Sequence, residues 1–443
     1  MSKVYLEDTI LTNIANSIRN KNGQVTKYKP QDMSAAIDSI STGGGGGGGN
    51  FSGAFIMACE DNNTSQETIT NIVNTINNNP NTFYDISKMF YKNTEITSLT
   101  LDFTNNNICD INSLFCYCTL LNTLNLNLDT SNVYDMSNLF SNCKVLETLN
   151  LGENFATENV VDMNNMFSQA SKLKTLDVSN FNTSKVKNMG YMFSYMGNLT
   201  GLDVSNWDTS KVVDMGYMFQ NTIALQTLDL SSFDTSNVTV MTGMFSAVSS
   251  NNLRTLIISD KFDTSKVGSF NAFLRNCKSL STFDSTKLKF DSATNLSQMF
   301  YNCQALKHLD FSNTRFPSTI TDVSSMLYGC SNLETLELGA NFTPNTSTVS
   351  LFAGTTFNQN CEVKMTGSSD FSSYNGSATL NFSYVWRGND STKIANFETF
   401  ANSLEPCSNQ NTRTIQLYST LYNALSDTQK AIITNKGYQL SYS

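Results

Sequence analysis

The pattern V-x-x-M-x-x-M-F-x-x-C-x-x-L-x-x-L-x-L returns about eleven times, at a spacing of about 26 residues. Two clear copies are Val133, Met136, Leu139, Phe140, Cys143, Leu146, Leu149, Leu151 and Val212, Met215, Met218, Phe219, Thr222, Leu225, Leu228, Leu230. The anchor aromatic falls at Phe90, Phe115, Phe140, Phe167, Phe193, Phe219, Phe245, Phe273 and Phe300, with Leu327 and Phe352 in two degenerate copies. A unit this short cannot bury its apolar face alone; it does so only by stacking on its neighbours. The repeat therefore dictates a solenoid. A solenoid presents a long repetitive surface rather than an enclosed cleft, which points to recognition over catalysis.

Each unit has two halves of different period. From Val212 to Leu225 the apolar positions fall three or four apart, the spacing of one face of a short helix or of irregular helical turns. Leu228 and Leu230 then alternate as in a strand. A turn follows, with an aromatic and then [ND]-T-S-[NK]-V, as at Asn182–Val186, Asp208–Val212, Asp234–Val238 and Asp263–Val267. Asx and Ser/Thr side chains bond to their own backbone and favour such turns. The expected fold is an α/β repeat solenoid: a stack of parallel strands about 4.8 Å apart with short helical arms.

The run Leu176-Asp177-Val178-Ser179-Asn180-Phe181-Asn182-Thr183-Ser184-Lys185-Val186, followed by Met189-Gly190-Tyr191-Met192-Phe193, resembles the BspA-type leucine-rich repeats. The resemblance covers roughly residues 84–355. It implies the leucine-rich solenoid fold and an association with surface adhesion in bacteria, protists and phages. It does not name a ligand.

Charged residues make up only 15% of the chain, and the net charge is −9. That balance argues against nucleic-acid binding, which needs a basic stripe. No apolar run reaches the length of a membrane span. The first residues, Met1 to Asp8, lack the apolar stretch of an export signal, so the expectation is a cytoplasmic protein or one that leaves the cell inside a particle. Of the ten cysteines, Cys118, Cys143, Cys277, Cys303 and Cys330 share one slot, three or four residues past the anchor. Other copies place Asn93, Ala170, Met196, Thr222 and Val248 there. A slot that accepts Ala and Thr is a packing position, so these thiols are expected to be buried and reduced rather than bridged. Cys116 and Cys118 form C-x-C, but no second pair lies at zinc spacing.

Five segments follow from the pattern: 1–42, 43–50, 51–83, 84–365 and 366–443. In the first, Leu11, Ile14 and Ile18 share one helical face, and Met33, Ile37 and Ile40 another. Such short helices bury no core alone and are expected to dock on another chain. The module from Leu11 to Arg19, with Lys21, Gly23, Tyr28, Pro30, Met33 and Ile37, is similar to the N-terminal segment of tail proteins from phages of Gram-positive bacteria. That resemblance implies attachment to a virion tail or baseplate after assembly in the host cytoplasm, and makes a homotrimer a candidate state. Gly43–Gly49 reads as a hinge, since no Gly-Lys-Ser/Thr follows it. Residues 51–83 read as an N-terminal cap, with a strand over Phe51–Met57 and a helix over Thr68–Ile76. Residues 366–443 read as a helix-bearing C-terminal cap, with strands at Ala378–Val385, Thr414–Tyr418 and Tyr438–Ser441 and helices at Ile394–Leu404 and Ser419–Lys436, the latter broken near Ser426.

The sequence makes a poor enzyme. Its single histidine, His308, sits in a slot that is Thr175, Thr227, Thr255, Thr282 and Thr335 in other copies. No nucleophile elbow, zinc-protease or EF-hand motif occurs. No catalytic residue, cofactor or metal ligand is assigned. The candidate ligand-binding face is the polar side of the strands, where residues two apart point the same way: Thr175 and Asp177, Asp203, Thr227 and Asp229, Thr282 and Asp284, His308 and Asp310. Trp207 shares the slot of Phe181 and Phe233, which favours packing over sugar stacking; Tyr191 and Tyr217 lie between core positions of the arm. The reading is a phage tail or baseplate protein, non-catalytic, whose solenoid binds a host cell-surface glycan or protein. A secreted or surface-bound bacterial adhesin is the alternative, and a structural tail component without receptor binding the third.

Overall fold

The computed structural model describes residues 66–80, 83–249, 251–317, 319–338, 361–365, 379–382, 385–404, 406 and 414–443. The attachment positions Leu11, Ile14, Ile18, Met33, Ile37 and Ile40, the glycine run, the expected strand at Phe51–Met57 and the Phe352 copy lie outside them. Apart from Phe83, all described residues belong to one compact unit, Met57–Pro80 with Tyr84–Ser443. The other unit is Met1–Ile56 with Asn81–Phe83.

The larger unit is a parallel β-solenoid. Its strand side carries β2 (Ser98–Asp102), β4 (Thr123–Asn127), β5 (Thr148–Asn150), β6 (Thr227–Asp229), β7 (Thr255–Ile257), β8 (His308–Phe311), β9 (Thr335–Leu338) and β10 (Glu362–Met365), while β1 (Tyr84–Asp85) and β3 (Ile108–Asp110) pair in a separate two-stranded sheet. Every pairing is parallel, and like positions pair: Leu99 with Leu124, Leu124 with Leu149, Leu228 with Leu256, Leu309 with Leu336. The leucines point inward and the polar residues between them outward, as the alternation predicts.

The arms are where the structure departs from the helical expectation. They are turns, not helices. In one arm Tyr217, Phe219 and Asn221 donate their amides to Thr242, Met244 and Ser246 of the next coil, at 2.7–2.9 Å. The amides between them bond within the coil, Met218 to Met215 and Gln220 to Tyr217. A helix keeps all these bonds internal; here half are spent on the neighbour. The switch requires two left-handed residues per arm, such as Tyr217 (φ 55°) and Asn221 (φ 60°), with equivalents at Asn138 and Asn142 and at Gln298 and Asn302. Left-handed backbone suits Asn and Gly best, which explains the Asn-rich arms. The apolar side chains still turn inward every third or fourth residue, so the sequence period mimics a helix. A second parallel ladder runs beneath the arms through single bridges, Asp135 to Asp162, Asn188, Asp214, Val240, Ser269, Asn295 and Asp322.

Inside, the anchors stack. Phe90, Phe115, Phe140, Phe167, Phe193, Phe219 and Phe245 follow one another with centroids 5.3–5.9 Å apart and rings within 19° of parallel. The register then corrects the sequence assignment of Phe273. Leu274 donates to Met299 just as Phe219 donates to Met244, so Leu274 is the anchor of that coil and Phe273 fills the preceding methionine slot. Phe273 meets Phe245 edge-on, at 83°. A second column, Phe155, Phe181, Trp207 and Phe233, stacks beside the first. Trp207 is 3% exposed, a packing residue.

With Leu274 as anchor, every slot cysteine stands three residues past its anchor. Each thiol donates to the anchor carbonyl of the preceding coil: Cys118 to Phe90 (2.9 Å), Cys143 to Phe115 (3.1 Å), Cys277 to Phe245 (3.4 Å), Cys303 to Leu274 (3.1 Å) and Cys330 to Phe300 (3.2 Å). All five are free and buried, and burial pushes Cys118, Cys277 and Cys330 up to about 12. Val248, expected in this slot, is instead 63% exposed. Asn251 enters from the longer loop and donates to Phe245 and Cys277. Buried threonines brace the opposite corner: Thr183, Thr209, Thr235 and Thr264 donate to Asp208, Asp234, Asp263 and Lys289 of the following coil at 2.8–2.9 Å.

Both ends of the described stack carry helices. In α1 (Gln66–Asn77), Ile69 and Ile76 are buried, and Asn77 bonds to the carbonyl of Asp102 and the amide of Thr104. At the other end β11 (Thr379–Asn381), β12 (Thr414–Leu417) and β13 (Gln439–Tyr442) form another parallel sheet. α2 (Ser391–Ser403), α3 (Ser419–Ala424) and α4 (Asp427–Thr434) alternate with these strands. Asp390 caps α2, and a Ser426–Gln429 capping box separates α4 from α3, the break read at Ser426. Trp386 donates its indole N–H to Cys361 at 3.0 Å and so ties this region to the coil of β10.

Candidate functional site

The polar strand face is built by alternation. Thr227 and Asp229 of β6 and His308 of β8 are exposed and Asp310 is half-buried, while the leucines between them are buried. Thr282 pairs with Thr255 in a single bridge, and Asp284 caps a short 3-10 turn at Ser285–Lys287. Thr175, Asp177 and Asp203 are exposed in coils whose strand side forms no regular strand. The Nδ1 atom of His308 lies 2.9 Å from the Thr335 hydroxyl, its partner across the strands. It is a rung of the exposed strand face.

The aspartates of this face are engaged in turns. Asp177 accepts the Ser179 hydroxyl at 2.7 Å and its amide at 3.0 Å. Asp203, Asp229 and Asp310 accept the amides of Ser205, Ser231 and Ser312 at 2.7–3.0 Å, and Asp284 accepts both the amide and the hydroxyl of Thr286. The bonds from Ser179 hold Asp177 below the usual carboxylate range, and those from Ser205 do the same for Asp203. These two charges are thus stabilised locally against repulsion from the next coil.

A second acidic row, missed in the sequence, lies beneath the arms. Asp85 and Asp110 are register partners, and Asp135, Asp162 and Asp214 continue the row with Asn188 among them. All are half-buried. Burial, then the Asp85 carboxylate, pushes the Asp110 carboxyl up to about 7, against the opposing bond from the Asn112 amide. Burial likewise raises Asp162. The signal was present as the D or N preceding the methionine of each V-x-[DN]-M, but a helical reading of the arm scatters those positions around a helix.

On the outer surface of the arm, Tyr191 stacks on Tyr217 with centroids 4.8 Å apart. Tyr191 is 37% exposed. A Cβ on Gly243 would come 2.3 Å from the Tyr217 ring, so glycine makes room for that ring. Among the described residues no group of three or more His, Cys, Asp or Glu is placed to hold a metal, and no helix is long and apolar enough to cross a membrane.

Parallel ladders on the strand side and beneath the arms, inward leucines and an aromatic spine define a leucine-rich-repeat β-solenoid. The sequence pattern of the family described as "Mycoplasma protein of unknown function, DUF285" matches residues 84–199, 172–256 and 228–341, more than half of the chain, and the protein belongs to that family. No curated protein matches it. Among solved structures, a leucine-rich repeat protein from Bacteroides ovatus ATCC 8483 is similar at 14% identity and a TM-score of 0.21, over 81% of this chain and 86% of that one.

Proposed function

We propose that this protein is a non-catalytic recognition module of a phage virion. Its solenoid binds a glycan or protein of the host cell surface, and its N-terminal segment fixes it to the tail or baseplate. The observation that carries the recognition reading is the strand face: exposed Thr, Asp, Asn and His side chains recur coil after coil on a backbone tied to its neighbours by parallel hydrogen-bonded ladders. Such a face is preorganised, so a ligand pays little ordering cost on binding. The virion reading is supported by the residues of positions 11–37 quoted above, which are similar to phage tail proteins.

The test separates the two halves. The full-length protein and a form lacking residues 1–50 are compared for binding to host cells and for entry into tails, and their masses are measured by light scattering. Retained cell binding with loss of tail incorporation, and loss of any trimer, is the expected result. Normal assembly of the truncated form into tails refutes the attachment role. A folded protein that binds no host cell refutes the recognition role and leaves the repeats structural.

A further inference from the structure

At the first coils the strand face changes chemistry. From Asp177 onward the outward position between the two inward residues on the strand side of each coil is mostly a carboxylate: Asp177, Asp203, Asp229, Asp284, Asp310 and Glu337. In β2, β4 and β5 the same position holds Thr100, Asn125 and Asn150, paired in register across three strands. Two residues further on stand Asp102 and Asn127, also in register, and then Gly152. Gly152 has φ +71°, and a Cβ there would lie 2.6 Å from the Leu126 carbonyl. The missing side chain opens one corner of the array. The result is an open groove of about 480 Å³ lined by Thr100, Asp102, Asn125, Asn127, Asn150 and Asn154, with Glu153 at its rim.

Its hydrogen bonds are directional. Asn154 donates to Asn127 at 3.2 Å, and Asn127 donates to Asp102 at 2.6 Å. Asn150 accepts the Gly152 amide at 3.1 Å. These bonds fix the orientation of the amides around the groove. In its middle, the Thr100 hydroxyl and the Asn125 carboxamide make no hydrogen bond with the described residues. They are held in place by the ladder and left open to a ligand. A carboxamide and a hydroxyl each donate and accept, which matches a ligand whose own groups do both. No Lys or Arg lines the groove, and Asp102 and Glu153 repel anions. The lining contains no aromatic ring, so stacking contributes nothing.

We propose that this groove is a binding site for a neutral, hydroxyl-rich oligosaccharide, with Thr100 and Asn125 as direct contacts and Asp102, Asn127 and Asn154 as the polarised rim. The assignment rests on the recognition reading above and adds the place and the chemical class of the ligand. It also moves recognition away from the Asp-rich coils, where one oxygen of Asp177, Asp203, Asp229, Asp284 and Asp310 accepts from its own turn.

The full-length protein is tested on immobilised neutral tetrasaccharides (gluco-, galacto- and manno-series) beside sialylated and sulfated counterparts and an oligolysine peptide. At least one neutral tetrasaccharide binds, and Asn125→Ala weakens it about tenfold or more, the loss of one or two hydrogen bonds. Lys211→Ala, on the exposed surface of another coil, leaves binding unchanged. Thr100→Arg fills the groove from an exposed position and abolishes binding without touching the core, which guards against a folding artefact. Three results overturn the proposal: no neutral tetrasaccharide binds, only the charged probes bind, or both groove variants bind as tightly as the parent. If the groove variants lose nothing while the protein still adheres to host cells, the groove assignment falls and the recognition reading stands.

Discussion

Truncating one anchor in the middle of the aromatic spine tests the packing directly. Phe219 is 2% exposed and lies between Phe193, 5.6 Å away, and Phe245, 5.8 Å away, nearly parallel to both. Phe219→Ala removes a buried ring and leaves a cavity that a ladder-bound backbone cannot close, a cost of about 3–5 kcal/mol. That is a large share of a typical folding free energy of about 5–15 kcal/mol. Leucine is the informative control, because Leu274 and Leu327 already occupy the anchor slot in other coils, buried and in register. Phe219→Leu keeps most of the volume and forfeits the stacking, about 1–1.5 kcal/mol. The reporter is Trp207, which packs on Phe193 with centroids 6.0 Å apart. The only other tryptophan, Trp386, is replaced by Phe in every protein compared. Urea unfolding followed by Trp207 fluorescence should then show a strong downward shift of midpoint for Ala and a small one for Leu. Because each coil is stabilised only by its neighbours, the loss propagates to adjacent coils. An unchanged midpoint for Phe219→Ala, or equal shifts for the two variants, refutes the spine as a source of stability.

Three further outcomes follow from particular contacts. The Asp110 carboxyl is raised from 3.8 to about 7, so the folded state binds its proton more tightly than the unfolded state. That contribution to stability is full below the unfolded value and is lost as pH rises through the folded one; Asp110→Asn should flatten the decline seen between about pH 4 and about pH 7.5 in urea midpoints, and an identical pH profile would rule out the carboxyl as its source. Cys118, Cys143, Cys277, Cys303 and Cys330 should resist alkylation in the native protein and react fully once unfolded, as counted by mass spectrometry; a Cys118–Cys143 or Cys303–Cys330 disulfide in the non-reduced digest would contradict the thiol-to-carbonyl ladder. Gly243→Ala should destabilise by about 1–2 kcal/mol, because the backbone there is left-handed (φ +59°) and its Cβ meets the Tyr217 ring, and Tyr217→Ala should rescue only the part due to the ring; independent, additive losses in thermal melts would show that the ring is not an obstacle.

The repeat alone determined that this chain is a solenoid, which slots of each coil face inward (Val248 apart), and that its strands stack in parallel with like over like. Those conclusions hold because any backbone path that brings Val212, Met215, Met218, Phe219 and Leu225 back to one core produces the same spacing. The conformation of the path is another matter. Whether an arm is a helix or a train of turns depends on where its amides find acceptors. That is settled by the neighbouring coil: Tyr217, Phe219 and Asn221 bond outward to Thr242, Met244 and Ser246. The same cross-coil bonds fixed Leu274 rather than Phe273 as an anchor, a one-residue choice that an aromatic count cannot make. The outward Thr and Asp rungs were legible because alternation in a strand is a local property. The second acidic row and the groove of Thr100, Asn125 and Asn127 were not. They exist only once the coils are stacked, when side chains about 25 residues apart in sequence stand one strand spacing apart in space.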